Sequence, residues 1–314
     1  MKDLKILVLE GGYNEEHEVS IATSKEVKKA LKNLSIEYQS VLVNPNTFEK
    51  DIAKFSQDYI CFNALHGSFG EDGKIQKILE KASYIFTHAS SKASHIGFNK
   101  KLTKDIIKNM PILTPDYLTI NNDQINEIFF FETFSRLGSF IIKPISSGSS
   151  FGIKIFRNIN DIKNFIKNFK NNLDIYKNHK ELLIEKYIEG RELTVGIFEK
   201  NKESIPIEVT EIITNNDFFD YASKYTPGFA EHILPANIPI DIYKKCKKFA
   251  KIIHDKIKCK GVSRSDFIYS NNKLYFLEIN SQPGLTSISL VPEQLKYQNI
   301  SFDDLICRII KCAL

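Results

Sequence analysis

Residues 263–284, SRSDFIYSNNKLYFLEINSQPG, set two apolar-rich runs around Asn271-Asn272-Lys273 and stop at Pro283-Gly284. Two such runs joined by a short Asn-rich turn read as a β-hairpin with strands over 263–270 and 274–280. Alternation puts Arg264 and Asp266 on one face of the first strand, and Glu278 and Asn280 on one face of the second. The apolar residues Phe267, Phe276, Leu277 and Ile279 are expected to turn into a core on the opposite face. Oxygen-bearing side chains converging from neighbouring strands suit Mg²⁺, which takes carboxylate and amide oxygens together with substrate phosphates. The plainer alternative is an Arg264–carboxylate pair on an exposed sheet.

Outward from the hairpin, the chain has the resources of a multi-domain soluble protein. Its 314 residues are 42% hydrophobic and 26% charged, enough for two or three separate cores. The net charge of +5 is mild, and its densest stretch, YKKCKKFAKIIHDKIKCK (243–260), has helical periodicity. Phe249, Ile252, Ile253 and Ile257 are expected to face inward and the lysines water, so a nucleic-acid partner is not expected. Five scattered cysteines form no CxxC pair, which fits a reduced, cytoplasmic protein. The N-terminus is no signal peptide and no apolar run reaches membrane-spanning length, so no membrane partner is expected.

KILVLEGG (5–12), YQSVLVN (38–44) and YICFNALHG (59–67) read as parallel strands, with amphipathic helices over HEVSIATSKEVKKALKNL (17–34) and DGKIQKILEKA (72–82). This alternation predicts a doubly wound α/β unit over residues 1–95. A small α+β unit over 96–184 holds a helix at NKKLTKDIIKNM (99–110) and a hairpin at FIIKPISSGSSFGIKIF (140–156). The third unit, 185–314, holds the strands of EKYIEGRELTVGIF and SIPIEVTEIIT, a long helix over 241–258, the opening hairpin and a terminal helix.

Three further places look chemical. The SSGSSFG loop (146–152) permits close backbone approach at Gly148 and Gly152, and its amides and Ser147, Ser149 and Ser150 hydroxyls suit phosphate oxygens, with Lys143 just before it; a flexible hairpin loop is the bland alternative. Glu185, Lys186 and Glu192 sit near a turn, where surface charge is the default. GGYNEEHEVS (11–20) and LHGSFGEDG (65–73) place polar groups at the carboxyl ends of parallel strands, where open α/β folds bind ligands. Glu16 there also reads as an acid at a helix start, and His66 as a strand-end ligand contact.

In order, GGYNEEHEVS, HGSFGEDGKIQ, NKKLTK, KPISSGSSFGI, EKYIEGRELTV, DYASKY (220–225), RSDF and EINSQPGLTSISLVPEQ resemble the D-alanine–D-alanine ligases of the ATP-grasp superfamily across nearly the whole chain. The resemblance implies a three-domain ATP-grasp fold, α/β and α+β, with a doubly wound N-terminal domain. It implies the reaction of ATP with two D-alanines to give D-alanyl-D-alanine, ADP and phosphate through a D-alanyl phosphate, for peptidoglycan. By resemblance, Lys100, Lys143, Ser149, Ser150 and Lys224 contact ATP, Lys224 from a loop that closes over the site. Glu185, Lys186 and Ile188 hold adenine, and Glu192 the ribose. Asp266, Glu278 and Asn280 ligate two Mg²⁺; Mn²⁺ is admitted in their place and K⁺ activation is left open. Glu16 takes the ammonium of the first D-alanine and His66 neighbours its carboxylate. Arg264 and the Gly284 amide hold the oxyanion, and Ser289 and Leu290 the second D-alanine. Glu16, Ser150 and Tyr225 form a hydrogen-bonded triad, Tyr225 favouring an amine acceptor. A homodimer is also implied.

The chain departs from the family's pattern at Lys77, His88, Asn99, Ser147 and Ser265, none of which removes a proposed ligand. Rival readings are an ATP-grasp ligase for other acids, including D-alanine–D-serine or D-alanine–D-lactate ligases, and a silent nucleotide-binding relative.

Overall fold

The computed structural model describes residues 4–148, 151–214 and 228–314. Apolar runs at the N-terminus build the first sheet. Strand β1 (Lys5–Gly11) pairs in parallel with β2 (Glu37–Val43) and β3 (Tyr59–Asn63), and β3 with β4 (Ile85–Phe86), in the order β2-β1-β3-β4. Parallel neighbours require crossovers, and helices α1 (His17–Asn33), α2 (Phe48–Ile52) and α3 (Lys74–Lys81) supply them. The central strands are covered on both faces, which is why they read as unbroken apolar runs. One face packs Ile6, Val8 and Phe62 on α1; the other packs Leu7, Leu9 and Cys61 on Phe48 and Leu79.

Two short helices follow, α4 (Ser91–Phe98) and α5 (Lys100–Ile107), capped by Ser90 and Asn99 side chains that accept from backbone N–H groups of the first turn. A four-stranded antiparallel sheet comes next. It runs β5 (Tyr117–Asn121), β8 (Glu181–Lys186), β6 (Phe140–Pro144), β7 (Lys154–Phe156). Helices α6 (Glu127–Leu137), α7 (Ile159–Lys167) and α8 (Phe169–Asp174) accompany it. Its core is aromatic: Phe140 and Phe156, paired across β6 and β7, stack at 4.8 Å, and Phe130 and Phe165 close over them. The divisions expected at 95/96 and 184/185 fall inside α4 and β8 respectively.

The third sheet is antiparallel in the order β11-β10-β9-β12-β13, from β9 (Arg191–Lys200), β10 (Glu203–Thr214), β11 (Ala230–Ile233), β12 (Val262–Ser270) and β13 (Lys273–Asn280). Helix α9 (Ile240–Ile257) lays Ile242, Cys246, Ala250 and Ile253 on this sheet and turns its lysines outward, as its periodicity predicts. The hairpin turn is two residues long. Asn271 and Asn272 have φ of 47° and 59°, the left-handed pair of a type I′ turn, and Lys273 already pairs with Ser270. Helices α10 (Leu290–Tyr297) and α11 (Phe302–Ala313) return to the first sheet, where Leu305, Ile306, Ile309 and Ile310 join the α1 core. On the other side, Ala93, Ile107 and Ile112 pack against Phe276 and Ile279. The third sheet is thus fixed to both flanking units. All five cysteines are unpaired. No helix among the described residues is long and apolar enough to cross a membrane.

Candidate active site

Register decides what the opening hairpin presents. Arg264 lies opposite Asn280 and Asp266 opposite Glu278, while Thr194 of β9 lies opposite Asp266 on its other side. Three strands therefore line Thr194, Asp266 and Glu278 across one face. Asp266 receives a forked pair from Arg264, Nε to Oδ1 at 2.9 Å and Nη2 to Oδ2 at 2.8 Å, and the Thr194 hydroxyl donates to Oδ1 at 2.6 Å. Glu278 lies 3.2 Å from the Lys100 ammonium, which also donates to the Ser147 carbonyl of the Ser/Gly loop at 3.0 Å. Asn280 Oδ1 accepts from the Gln282 amide at 2.8 Å.

One expectation is corrected here. Leu277 was expected in the core, but Phe267 pairs with Phe276 while Asp266 pairs with Glu278, so Leu277 is the extra residue of a bulge. The bulge turns Leu277 as well as Glu278 toward the cleft between the second and third sheets.

That cleft has apolar walls from Ile141, Ile153, Ile155, Ile188, Ile212, Ile268 and Leu277, and carries Lys143, Lys186, Glu192, Asp266 and Glu278. A largely apolar cleft carrying a few charged groups suits a nucleotide. Glu185 is 1% exposed, and its carboxylate lies between the ammonium groups of Lys104, 2.7 Å away, and Lys143. Burial alone would raise the carboxyl, but the two lysines overcome it and hold it at about 2. Burial in turn pushes the Lys104 ammonium down, against the pull of Glu185. Glu185 is thus committed to two lysines, and it adjoins the cleft as part of its wall.

A second cavity meets the cleft at Glu278. Glu16, His66 and Glu71 enter it from loops of the first unit, Lys100, Ser147 and Gly148 from the middle of the chain, and Arg264, Asn280 and Gly284 from the third sheet and the loop after it. Glu16 occupies the cap position of α1 without using its side chain there. A Cβ at Gly67 (φ 68°) or Gly148 would collide with its carboxylate, so both loops approach it as only glycine allows. His66 has both ring nitrogens engaged, Nδ1 with Glu71 at 3.1 Å and Nε2 with the Thr23 hydroxyl at 2.9 Å. Gly284 leaves room for Ser289, whose hydroxyl would stand 2.8 Å from an added Cβ. Ser289 bonds Thr286 and occupies the N-cap position of α10 without a side-chain cap bond, a position that favours a carboxylate. The Leu290 side chain packs against Ile212 and Ala230.

A metal would find two carboxylates and an amide oxygen here. No group of three or more His, Cys, Asp or Glu suited to a metal exists among the described residues. Two carboxylates and an amide are nonetheless the donor set Mg²⁺ takes, and with Arg264 on Asp266 and Lys100 on Glu278 an ion would have to share or displace those partners. The residues fit the ion.

A family model described as D-ala D-ala ligase C-terminus matches residues 106–311. A D-alanine–D-alanine ligase of Pelagibacter ubique (strain HTCC1062) is 39% identical over 313 residues, covering 98% of each chain. One of Wolbachia pipientis wMel is 37% identical over 312 residues, covering 98% of this chain and 94% of its own. The chain belongs to the D-alanine–D-alanine ligase family. The crystal structure of D-alanine–D-alanine ligase from Bacillus anthracis complexed with ATP matches with a TM-score of 0.80 at 26% identity, over 99% of this chain and 96% of that one. The three sheets are those of a three-domain ATP-grasp ligase.

Against the D-alanine–D-alanine ligase family, the structure gathers Glu16, His66, Lys100, Arg264, Glu278, Asn280 and Gly284 around one cavity, and Lys143, Glu185, Lys186, Ile188 and Glu192 along the adjoining cleft, which Asp266 and Glu278 also line. Ser149, Ser150, Lys224 and Tyr225 lie outside the described residues. Reading the residues missed Thr194, Lys104, Glu71 and Gln282. Lys104 had a signal, since it stands four residues after Lys100 on one face of α5. His88, where the family pattern has Gly, keeps a left-handed φ of 69°. Burial takes its ring down to about 3, and its ring packs edge-on against Phe62.

Proposed function

We propose that the chain is an ATP-dependent ligase that joins two D-alanines into D-alanyl-D-alanine, releasing ADP and phosphate through a D-alanyl phosphate. The observation that carries this reading is the junction at Glu278 between an apolar nucleotide cleft and a cavity ringed by Glu16, His66, Lys100, Arg264 and Gly284. A carboxylate must meet a phosphate there, and then an amine must meet the resulting carbonyl.

Glu16 binds the ammonium of the first D-alanine, and the buried His66–Glu71 pair forms the wall beside its carboxylate. Lys100 offsets negative charge where carboxylate and phosphate approach. Asp266, Glu278 and Asn280 would hold two Mg²⁺, which when bound would supply positive charge to offset that of the phosphates. Arg264 and the Gly284 amide stabilise the oxyanion that forms when the second amine attacks the acyl phosphate. Ser289, at the start of α10, takes the second carboxylate. Ser149, Ser150, Lys224 and Tyr225 keep the roles the family resemblance gives them: phosphate contact, closure of the site against water, and the link to Glu16. The three sheets support three units, with the expected divisions at 95/96 and 184/185 moved off α4 and past the end of β8. The reading also carries a cytoplasmic location and a homodimer, the latter checked by light scattering.

The test supplies ATP and Mg²⁺ with D-alanine alone, or with D-serine or D-lactate as a second acceptor, and follows phosphate and product by mass spectrometry. D-Alanine alone should release phosphate and give D-alanyl-D-alanine. Background release with D-alanine, beside brisk release with another acid, would overturn the reading.

A further inference from the structure

The two walls of the cavity come from segments more than 200 residues apart, and one buried side chain joins them. Gln282, two residues past β13, is 3% exposed, and Asn63, the last residue of β3, is 1% exposed. Gln282 Oε1 accepts from Asn63 Nδ2 at 2.9 Å, and Gln282 Nε2 donates to the Leu65 carbonyl at 2.6 Å. The Gln282 backbone N–H donates to Asn280 Oδ1 at 2.8 Å. Asn63 uses its remaining capacity on the same loop, donating to the Gly70 carbonyl at 2.9 Å and accepting from the Leu65 N–H at 3.2 Å. Both amides are therefore oriented by their partners, since reversing either would set donor against donor.

What these bonds join is specific. Leu65 precedes His66 and Gly70 precedes Glu71, the pair that walls the first-substrate end. Asn280 and Gly284 flank Gln282 on the other side, at the phosphoryl-transfer and oxyanion end. An apolar side chain of the same size would fill the space but leave the Asn63 N–H and the Leu65 carbonyl unsatisfied in a buried place.

We propose that Gln282, braced by Asn63, is a positioning residue for the ligase reaction: it sets the His66–Glu71 loop in register with Asn280 and Gly284. This rests on the ligase reading above. Loss of register would act on the first D-alanine and on capture of the acyl phosphate, and would leave the nucleotide cleft intact.

The experiment compares wild type, Gln282→Met and Asn63→Ser, measuring KM for ATP and for D-alanine and the phosphate released per dipeptide formed. Wild type should give one phosphate per dipeptide; no dipeptide at all would sink the ligase reading itself. Gln282→Met should raise the first D-alanine KM by roughly tenfold, the scale of a buried amide left unpaired, and release several phosphates per dipeptide with KM for ATP unchanged. Asn63→Ser should do the same, and the double variant should be no worse than Gln282→Met. A Gln282→Met enzyme with unaltered D-alanine KM and one phosphate per dipeptide overturns the proposal. If Gln282→Met does not fold, Asn63→Ser decides by the same two readouts.

Discussion

Asp266 is held by three donors from two side chains, Arg264 twice and Thr194 once. Its geometry is therefore set before any ligand arrives, which is what an electrostatic site needs. Asp266→Asn keeps the size, removes the charge and sets an amide donor against an Arg264 donor, so turnover should fall by about 10²–10³-fold, with a far-ultraviolet spectrum like wild type; near-normal turnover would take Asp266 out of the site. Glu185 gives a pH prediction. Its folded carboxyl is held at about 2, below the ordinary carboxyl value of 4.5, because Lys104 and Lys143 outweigh the cost of burial. A depressed carboxyl stabilises the fold above its unfolded value and loses that contribution as pH falls toward 2. Urea midpoints should therefore drop between about pH 4.5 and 2. Lys104→Met, which leaves Glu185 one partner, should lower stability at pH 7 by about 3 kcal/mol, and an unchanged urea midpoint would contradict the pairing.

At the scale of elements, the β12–β13 hairpin carries the site, and its turn fixes the register that sets Arg264 opposite Asn280. Asn271 and Asn272 both adopt positive φ, which β-branched residues resist. Asn272→Val should cost about 1–2 kcal/mol, read as a lower unfolding midpoint, where Asn272→Gly should not. Much of this element was legible. Alternation put Asp266, Glu278 and Asn280 on one face, and the Asn pair marked the turn. The bulge at Leu277 was not legible, because an extra residue shows only against the partner strand. Lys104 had a signal in its place four residues after Lys100, but its partner did not, because Glu185 lies 81 positions later. Gln282 was hidden too, since its worth lies in Asn63, on a strand of a different sheet.

At the scale of the molecule, three sheets meet around one cleft and its adjoining cavity. The first brings Glu16 and His66, the second Lys143 and Glu185, and the third Arg264, Asp266, Glu278 and Asn280. Apolar packing of α11 on the first sheet and of Ile107 and Ile112 on Phe276 and Ile279 holds these contributions together. The parallel first sheet and the hairpins of the others could be read from periodicity. The strand order and the meeting of cleft and cavity required the folded chain. The central claim is that a D-alanine carboxylate oxygen attacks the γ-phosphate of ATP, releasing ADP, and then leaves in the phosphate when the second amine displaces it from the carbonyl. D-Alanine labelled with ¹⁸O in its carboxylate, turned over with unlabelled ATP, tests it most directly. The account predicts one ¹⁸O in each phosphate released alongside dipeptide; phosphate free of label would contradict it.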